Sequence, residues 1–499
     1  MKNNEKKGFT MQLQELLSAL PFYTTSQSIK NIEINGLKMD NRKIENGDVF
    51  VCIKGFTVDG HSFAKQAARS GAVAVIAEKP LDVSPAITII VPDTTKALAI
   101  LAAKFYHYPT HNFPLIGITG TNGKTTTTYL LEEIFKAHGK KTGLIGTIQM
   151  KIGDKSYEIK NTTPDALHLQ HNFHKMVEEE VDIVMMEVSS HALDLGRVYG
   201  SDFDIAVFTN LTQDHLDYHK DMDDYLRAKT LLFTGLGNAY VNEKYAVLNA
   251  DDEHSEVIKN STAQPVITYG IHTNADVMAT DISFQLKNTT FILNTPVGQT
   301  TIRSNLIGTF NIYNMLAAAS VAVLRKIPLD TIKYALENIQ GVNGRFEQVT
   351  VGQKFAVIVD YAHTPDSLEN VLETIKEFAK QKIFTVVGTG GDRDRKKRPL
   401  MAKVATKYSD LAVFTSDNPR TEEPAAILKD MTDGLMDSNY KVIENRKEAI
   451  QYAINQADTG DIVLIAGKGH ETYQEINGIR YDFDDRVVAK EAIRQKGIN

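Results

Sequence analysis

A single segment, residues 114–130, constrains this chain more than any other part of its sequence. Its apolar run ends at Gly120 and is followed by TNGKT and then by an amphipathic stretch. A strand, a glycine-containing turn and a helix in this order bind phosphate, because backbone N–H groups and the positive end of the helix face the anion. Lys124 can reach the outer phosphates, and Thr125 can bind Mg²⁺. The segment therefore predicts a nucleoside triphosphate site.

The loop is a short form of the general phosphate-binding pattern. The pattern G-x-x-x-x-G-K-[ST] requires glycine where this chain has Ile118, so the motif here is G-x-x-G-K-T. A Gly-Lys-Thr string also occurs in ordinary surface turns. The apolar strand before the string and the helix after it favour the phosphate-binding interpretation.

The composition narrows the class of protein. The chain has 499 residues, of which 42% are hydrophobic and 23% charged, as is typical of a soluble globular protein with about three domains. The net charge of −7 disfavours nucleic acid as a partner. Cys52 is the single cysteine, which excludes an internal disulfide and favours a reducing cytoplasm. Because no apolar run is long enough for a signal peptide or a bilayer crossing, we expect a cytoplasmic protein without membrane insertion.

Three blocks follow one another along the chain. We predict a small α/β N-terminal domain over residues 1–110, a central P-loop domain with a doubly wound parallel sheet over residues 111–344, and a C-terminal Rossmann-like domain over residues 345–499. In the second and third blocks, apolar runs such as VDIVMMEVSS and FAVIVDYAH end in polar residues. In a parallel sheet these ends lie at the carboxyl edge, where ligands bind. The predicted fold class is therefore α/β with three domains.

Two segments refine this prediction. Residues 265–305 form a more strand-rich insertion at the end of the second block, and an apolar stripe from Leu368 to Phe378 predicts a core-facing helix. In the third block, GTGGDR (388–393) has Arg393 where the dinucleotide motif G-x-G-x-x-G requires its final glycine. Hydride transfer from a dinucleotide is therefore disfavoured.

Three residues of the central block are candidates for metal chemistry. Glu187 follows an apolar strand, the usual place for a carboxylate that holds Mg²⁺. His215 lies in TQDHLDYH, and Lys229 lies in YLRAKTLLF. Lys229 has two interpretations: a partly buried amphipathic side chain, or a desolvated amine that reacts with CO₂ to give a metal-binding carbamate. The sequence pattern alone leaves both open.

Eleven ordered motifs together resemble one enzyme family over nearly the whole chain. They are TGTNGKTTT (119–127), NTTPD (161–165), MEVSSHAL (186–193), NLTQDHLDYH (210–219), AKTLLF (228–233), GTFNIYN (308–314), GRFE (344–347), VDYAHTPDSL (359–368), GGDRDRKKRP (390–399), DNPR (417–420) and AGKGHE (466–471). This series resembles the Mur ligases, ATP-dependent enzymes that form amide bonds in peptidoglycan precursors. The order of the motifs is far more specific than any one of them.

The resemblance implies how ATP is bound. Asn311 corresponds to the residue that meets the adenine, Arg345 to the arginine that reaches the phosphates from the domain junction, and Asp360 to a carboxylate that helps hold the nucleotide. The implied ATP-binding residues are Gly120, Thr121, Asn122, Gly123, Lys124, Thr125, Thr126, Asn311, Arg345 and Asp360. Two Mg²⁺ ions are implied, with the ligands Thr125, Glu187, His215 and Lys229, the last as a CO₂-derived carbamate. The implied catalytic residues are Lys124, Glu187, His215, Lys229 and Arg345.

The resemblance also implies a site for a UDP-linked substrate. Its residues are Asn41, Asn161, Thr162, Thr163, Ser189 and Arg197. This chain departs from the family at two positions. The D-S-R motif reads Asp40-Asn41-Arg42, where the amide can still hydrogen-bond a uridine group. Leu195 stands where some relatives have glutamine, so we expect that contact to be absent.

The choice of amino acid is implied by the third block. The implied binding residues are Arg393, Asp417, Asn418, Pro419, Arg420, Gly467 and Glu471. Diaminopimelate is lysine with an extra carboxylate at its far end, which a guanidinium binds through two parallel hydrogen bonds. Arg420 supplies that group, whereas lysine-adding relatives have an uncharged residue there. Arg393 is expected to meet a second carboxylate, and Glu471, with the Gly467 backbone, is expected to receive the distal amine.

The resemblance implies the activity and the partners. The substrates are ATP, UDP-N-acetylmuramoyl-dipeptide and meso-diaminopimelate, which react through an acyl phosphate with release of ADP and phosphate. We expect a monomer. The alternatives are an L-lysine-adding homologue, a folylpolyglutamate-synthetase-like ligase, a P-loop kinase or motor, and a non-enzymatic nucleotide-binding scaffold. The ordered motifs of the third block disfavour the kinase, and the set Lys124, Glu187 and Lys229 disfavours the scaffold.

Overall fold

The computed structural model describes residues 10–55, 58–159, 161–240, 243–285, 288–339 and 341–497. Its helices are α1 (Leu13–Leu17), α2 (Ala64–Arg69), α3 (Thr94–Phe105), α4 (Lys124–Ala137), α5 (Ala166–Glu178), α6 (Ser190–Asp194), α7 (Met222–Thr234), α8 (Ser255–Lys259), α9 (Thr309–Leu324), α10 (Leu329–Asn338), α11 (Pro365–Phe378), α12 (Lys397–Tyr408), α13 (Pro424–Thr432), α14 (Arg446–Gln456) and α15 (Asp485–Lys496).

The strands are β1 (Met11–Gln12), β2 (Glu33–Ile34), β3 (Gly36–Lys38), β4 (Asp48–Val51), β5 (Ala74–Ala77), β6 (Ile87–Ile90), β7 (Leu115–Thr119), β8 (Thr142–Ile145), β9 (Met150–Ile152), β10 (Lys155–Tyr157), β11 (Ile183–Glu187), β12 (Ile205–Phe208), β13 (Tyr245–Asn249), β14 (Val266–Gly270), β15 (Val277–Gln285), β16 (Asn288–Thr295), β17 (Gly298–Ser304), β18 (Glu347–Gln348), β19 (Ala356–Asp360), β20 (Ile383–Val387), β21 (Leu411–Phe414), β22 (Tyr440–Val442), β23 (Ile462–Ala466), β24 (Tyr473–Ile476) and β25 (Ile479–Asp482). The chain divides into two compact units, residues 1–117 with 141–204, and residues 118–140 with 205–499.

The first unit begins with a four-stranded parallel sheet in the order β3-β4-β5-β6. One face of the sheet packs against Leu13, Leu16 and Leu98 from α1 and α3. The other face packs against Ala64 and Ala67 from α2. Helices cover both faces, and the two central strands, β4 and β5, are accordingly buried along their whole length, as is typical of parallel sheets.

The rest of the first unit carries a second group of strands. β8 pairs in parallel with β11 and antiparallel with β9, and β10 follows β9 at the edge. β11 is buried throughout and ends at Glu187. The Ser189 hydroxyl then accepts a hydrogen bond from the N–H of Ala192 and so begins α6. This carboxyl end of β11 is where the sequence predicts ligands.

The second unit opens with the phosphate loop and α4. Strands β12 to β15 pair in parallel, and β16 and β17 continue antiparallel. Strands β14 to β17 lie within the predicted strand-rich segment, which is thereby confirmed. Helix α9 is buried on nearly all sides, because α4, α10 and the strands β13 to β15 pack around it. A helix that is apolar all round is expected in such a position.

The C-terminal part of the second unit has a six-stranded sheet in the order β18-β19-β23-β20-β21-β22, antiparallel only at β18–β19. Leu368, Met401 and Leu428 of α11, α12 and α13 cover one face. Ala449 and Val488 of α14 and α15 cover the other. A mainly parallel sheet with helices on both faces agrees with the Rossmann-like pattern predicted for the third block, and the α/β fold class is confirmed.

Helix α11 tests the pattern argument directly. It begins at Pro365, after the Thr364 hydroxyl accepts a hydrogen bond from the N–H of Ser367. The predicted stripe faces the core from Leu368 to Ile375, while Phe378 is only partly buried at the end of the helix. None of the helices in the described ranges combines the length and hydrophobicity of a bilayer-crossing segment.

Candidate active site

The phosphate loop lies between β7 and α4 and requires both of its glycines. Gly120 has φ 151° and Gly123 has φ 86°, in the region that favours glycine. A Cβ atom at Gly120 would lie 1.8 Å from the Thr209 hydroxyl oxygen, and one at Gly123 would lie 2.3 Å from the Asn314 amide oxygen. The loop therefore packs against these two side chains with no room for another residue type.

Hydrogen bonds fix the loop from the neighbouring segment 209–212. The N–H of Thr121 donates to the backbone oxygen of Asn210 at 2.8 Å, and the N–H of Asn122 donates to the side-chain oxygen of Asn210 at 2.9 Å. The Thr209 hydroxyl donates to the carbonyl oxygen of Asn122 at 2.6 Å. Sequence reasoning did not assign Asn210 or Thr209 to the loop, because both lie almost ninety residues away along the chain.

Two lysines converge on one carbonyl of this loop. Nζ of Lys124 donates to the backbone oxygens of Gly120 (2.8 Å) and Thr121 (2.9 Å). Nζ of Lys229 donates to the same Gly120 oxygen at 2.7 Å and lies 4.3 Å from the centre of the Tyr225 ring. The predicted phosphate-binding lysine and the predicted carbamate lysine are therefore neighbours.

The surroundings of Lys229 bear on its two interpretations. An amphipathic lysine keeps its ammonium group in water, but Lys229 is only 1% exposed. Burial, and to a smaller extent the charge of Lys124, lower the pKa of Lys229 well below its ordinary value, against the opposing charge of Asp214. The environment thus favours the neutral amine, which is the form that reacts with CO₂.

Asp214 joins the predicted metal ligand His215 to the C-terminal part of the second unit. It accepts a hydrogen bond from the N–H of His215 at 2.9 Å. One carboxylate oxygen lies 3.4 Å from Nε2 of His215 and 3.8 Å from Nε2 of His363, and the other lies 3.9 Å from Nζ of Lys397. Burial favours the neutral acid, but the cationic groups around it outweigh that effect and hold the pKa of Asp214 below its ordinary value.

The C-terminal part also supplies groups directly to the phosphate loop. Nη2 of Arg345 donates to the Thr125 hydroxyl at 3.2 Å, and its guanidinium lies 4.5 Å from the centre of the Tyr361 ring. The carboxylate of Asp366, at the start of α11, accepts hydrogen bonds from the Asn122 amide at 2.8 Å and from the Thr212 hydroxyl at 3.1 Å. The structure thus brings Arg345 to the loop, as the resemblance implies, and adds Asp366.

Asp360 and Asn311 are engaged with the protein itself. The carboxylate of Asp360 accepts the N–H groups of Phe346 and Ala362, each at 2.7 Å, and burial raises its pKa. Asp360 therefore fixes the backbone beside Arg345. The buried Asn311 amide donates to the Ile307 carbonyl at 2.9 Å and accepts from the Asn314 amide at 3.3 Å.

In the first unit, three of the six predicted UDP-substrate residues lie together at the end of β11. The Thr163 hydroxyl donates to the Glu187 carbonyl at 2.9 Å and lies 3.4 Å from the Ser189 hydroxyl. Nη1 of Arg197 donates to the Thr163 carbonyl at 3.2 Å. The Glu187 carboxylate accepts from the N–H (2.7 Å) and hydroxyl (2.9 Å) of Thr147, a residue that sequence reasoning missed.

The other UDP-substrate residues are less closely tied to this cluster. The Thr162 hydroxyl lies 3.1 Å from the Thr147 hydroxyl, and Asn161 is exposed. The Asn41 amide donates to the Gln66 side chain at 3.0 Å, beside the four-stranded sheet. Leu195 follows α6 and is half-buried. Asn41 therefore belongs to a different part of the first unit from Thr163.

The predicted amino-acid residues come together at the carboxyl ends of β20, β21 and β23. Nη1 of Arg420 donates to the Gly391 carbonyl at 2.7 Å, and the N–H of Gly391 donates to the Asn418 carbonyl at 2.9 Å. Arg393 is exposed on the same loop as Gly391. A Cβ at Gly467 would lie 2.8 Å from a carboxylate oxygen of Asp417.

Lys468 connects two of these residues and was missed by sequence reasoning. Its side chain is fully buried, and Nζ donates to the Asn418 oxygen at 3.0 Å and to Oε2 of Glu471 at 2.9 Å. The Asn418 amide donates to the same Glu471 oxygen at 2.8 Å. The sequence feature that could have identified Lys468 as a site residue is its position between Gly467 and Glu471 in the AGKGHE motif.

The side chains predicted to bind a metal belong to two different units of the chain. Glu187 belongs to the first unit, whereas Thr125, His215 and Lys229 belong to the second. Within the described ranges, no three or more His, Cys, Asp or Glu side chains are grouped so that they could hold a metal ion.

Sequence comparisons identify the family. The Mur ligase middle domain matches residues 118–322, the Mur ligase glutamate ligase domain matches residues 344–469, and the Mur ligase catalytic domain matches residues 33–106. The chain belongs to the Mur ligase family and is a ligase.

Three of the similar proteins, considered individually, are ligases of one kind. The chain is 60% identical over 493 residues to the UDP-N-acetylmuramoyl-L-alanyl-D-glutamate–2,6-diaminopimelate ligase of Oceanobacillus iheyensis, covering 98% of this chain and all of the relative. It is 57% identical over 485 residues to the Bacillus cereus enzyme of the same name, covering 97% and 98%. A solved structure of a ligase with this name matches with a TM-score of 0.69 at 34% identity, covering 97% of this chain and 99% of that one.

Proposed function

We propose that this chain is the ATP-dependent ligase that adds meso-diaminopimelate to UDP-N-acetylmuramoyl-L-alanyl-D-glutamate in the synthesis of peptidoglycan precursors. The observation that carries the proposal is the meeting of Arg345 with Thr125 at the phosphate loop, beside the lysine pair Lys124 and Lys229. The relatives named above support the choice of substrates. The 60% and 57% identity to diaminopimelate ligases also disfavours the folylpolyglutamate-synthetase-like alternative. Arg420 disfavours the L-lysine-adding alternative.

The chemistry follows from the weakness of a carboxylate as an electrophile. The side-chain carboxylate of the D-glutamyl residue attacks the γ-phosphorus of ATP, the bond to the β-phosphate oxygen breaks, and ADP leaves. Lys124 and Arg345 stabilise the charge on the transferring group. The amine of diaminopimelate then attacks the acyl phosphate and loses a proton, and phosphate leaves as the amide forms. Mg²⁺ would neutralise phosphate charge, held by Thr125, Glu187, His215 and the modified Lys229.

The acyl phosphate step has a direct test. Substrate labelled with ¹⁸O in the side-chain carboxylate of its D-glutamyl residue should transfer one labelled oxygen to the released phosphate, because the carboxylate oxygen becomes the bridging oxygen. Mass spectrometry of the phosphate measures this transfer. Unlabelled phosphate from a reaction that forms the amide would contradict the proposed intermediate.

The state of Lys229 is part of the proposal. A neutral amine adds to CO₂ and releases a proton, which gives a carbamate with the oxygen ligands that Mg²⁺ prefers. The support is the full burial of the side chain and the lowered pKa of Lys229. We propose two Mg²⁺ ions in the loaded enzyme, with the carbamate as a ligand of one of them.

Replacing Lys229 with alanine is expected to reduce turnover by about 10²-fold, which corresponds to losing about 2.7 kcal/mol of charge stabilisation. Added acetate should restore part of the activity, because a small carboxylate can take the place of the carbamate. Wild type supplied with ¹³CO₂ should show a carbamate signal by NMR that Lys229→Ala lacks. Acetate should not stimulate wild type, and the absence of both the signal and the rescue would return Lys229 to an unmodified buried lysine.

The remaining assignments complete the proposal. We propose that Thr162, Thr163, Ser189 and Arg197 bind the UDP-linked substrate with Asn161, and that Asn41 contributes from the N-terminal domain. The amino acid is proposed to be bound by Arg393, Asp417, Asn418, Pro419, Arg420, Gly467 and Glu471. The boundaries of the three domains are proposed to lie between residues 110 and 111 and between residues 344 and 345. A cytoplasmic monomer fits the substrates, which are all water-soluble.

A further inference from the structure

Arg398, near the start of α12, is a fully buried arginine with two acidic partners, Glu422 and Asp430. Its Nη1 and Nη2 atoms donate to the two carboxylate oxygens of Glu422 at 2.9 and 2.7 Å, and Nη1 also donates to Asp430 at 2.8 Å. The side chain is 0% exposed. A buried ion pair is weak evidence of stability, because desolvation offsets much of its attraction. What a two-pronged pair supplies is geometry.

The pair lies between two loops that carry the proposed amino-acid residues. We define the GGDR loop as residues 388–394, after β20, and the DNPR loop as residues 417–423, after β21. Nη2 of Arg398 donates to the Gly390 carbonyl at 3.3 Å, and Oε1 of Glu422 accepts from the N–H of Asp392 at 2.6 Å. One arginine–glutamate pair therefore bonds to the backbone of the GGDR loop at two points, while Glu422 belongs to the DNPR loop.

The two loops are in such close contact that a small movement of one would move the other. A Cβ at Gly391 would lie 1.9 Å from the Pro419 carbonyl oxygen, and one at Gly390 would lie 2.8 Å from Nη1 of Arg420. The Thr421 hydroxyl donates to the Asp392 carboxylate at 2.8 Å. The loops thus share one interface of backbone and short side chains.

The backbone of each loop is strained where the binding residues lie. Asp392 and Arg420 both have φ 52°, a left-handed conformation that costs a non-glycine residue energy unless its surroundings hold it in place. Asp392 directly precedes Arg393, and Arg420 is the proposed selector itself. The contacts from Glu422 and Thr421 hold Asp392 in this conformation.

We propose that Arg398, acting through Glu422, is a positioning residue that sets the separation and orientation of Arg393 and Arg420, and so determines the fit of the two carboxylates of the incoming amino acid. This role rests on the amino-acid site proposed above. Because Arg398 itself is enclosed by protein, the proposed role is to position other residues and not to bind the substrate directly.

The test uses Arg398→Lys, which keeps the charge but cannot make two parallel hydrogen bonds to one carboxylate. The KM for meso-diaminopimelate should rise about tenfold, since a displacement of about 1 Å in a binding group has effects of this order or larger. The preference for meso-diaminopimelate over L-lysine should fall. The KM values for ATP and the UDP-linked substrate should stay the same. Glu422→Gln, at a half-exposed position, should also raise the KM for meso-diaminopimelate and weaken the preference over L-lysine. It provides a second test if the Arg398→Lys protein does not fold.

Arg395→Lys is the matched control. Arg395 precedes Arg398 by three residues and also bonds to Asp430, at 2.8 Å, but it is exposed and binds neither loop. Its replacement should leave all three KM values unchanged. If Arg398→Lys and Glu422→Gln alter all three KM values together, or neither of them changes the KM for meso-diaminopimelate, the positioning role is wrong. If Arg420→Ala leaves that KM and the preference over L-lysine unchanged, it is the proposed amino-acid site that fails.

Discussion

Turnover of the Lys124→Ala variant is expected to fall by about 10²- to 10³-fold, the range for losing one preorganised group that stabilises transition-state charge. Lys124 begins α4 and holds its ammonium group at the Gly120 and Thr121 carbonyls, in the loop proposed to bind phosphate. Without it, the negative charge on the transferring phosphoryl group is less well stabilised. Phosphate release in the presence of all three substrates measures the effect.

The control for this prediction is Lys136→Ala. Lys136 lies in the last turn of the same helix and makes an ion pair with Glu132, so the replacement removes a lysine from α4 but not from the loop. Its turnover should remain near that of wild type. A folded Lys124→Ala enzyme with nearly normal phosphate release would show that the loop does not bind the reacting nucleotide.

The second large effect concerns amino-acid choice. Replacing Arg420 with alanine should reduce discrimination between meso-diaminopimelate and L-lysine by roughly 2 to 4 kcal/mol, as for a charged hydrogen-bonded pair that loses one partner. Arg420 uses Nη1 to bind the Gly391 carbonyl, which orients its planar guanidinium, and we expect the remaining N–H groups to bind the distal carboxylate of diaminopimelate. We expect the same arginine to repel the terminal ammonium of lysine.

The ratio of kcat/KM for the two amino acids is the quantity to measure for Arg420→Ala. Arg395→Ala removes an exposed arginine of the same domain and should leave the ratio unchanged. An Arg420→Ala enzyme that discriminates as well as wild type would remove the DNPR segment from the account of specificity.

Local features were predictable from the sequence because their causes are local. The strand–glycine–helix pattern at Gly120 predicts the loop, and the stripe from Leu368 predicts α11, since each depends on residues that are neighbours along the chain. The fold class follows from the same repeated pattern. The interpretation of Lys229 needed its surroundings, because burial of its amine depends on packing around α7 that periodicity does not reveal.

Groups joined over long distances in sequence could not be predicted in this way. Asp214 meets Lys397, and Asp366 meets Asn122, only because the C-terminal part of the second unit folds beside the phosphate loop. The resemblance to a family supplied Arg345 but carried no information on Asp214 or Asp366. Lys468 stood inside a recognised motif, yet its bonds to the DNPR loop depend on the order of the strands in the sheet.

The most direct test of the proposed function is phosphate release from ATP by the wild-type enzyme with UDP-N-acetylmuramoyl-L-alanyl-D-glutamate and a panel of amino acids. Release should require the UDP-linked substrate, should be fast with meso-diaminopimelate, and should be slow with L-lysine at the same concentration. Equal rates with the two amino acids, or release that does not depend on the UDP-linked substrate, would contradict the assignment of this chain as a diaminopimelate-adding ligase.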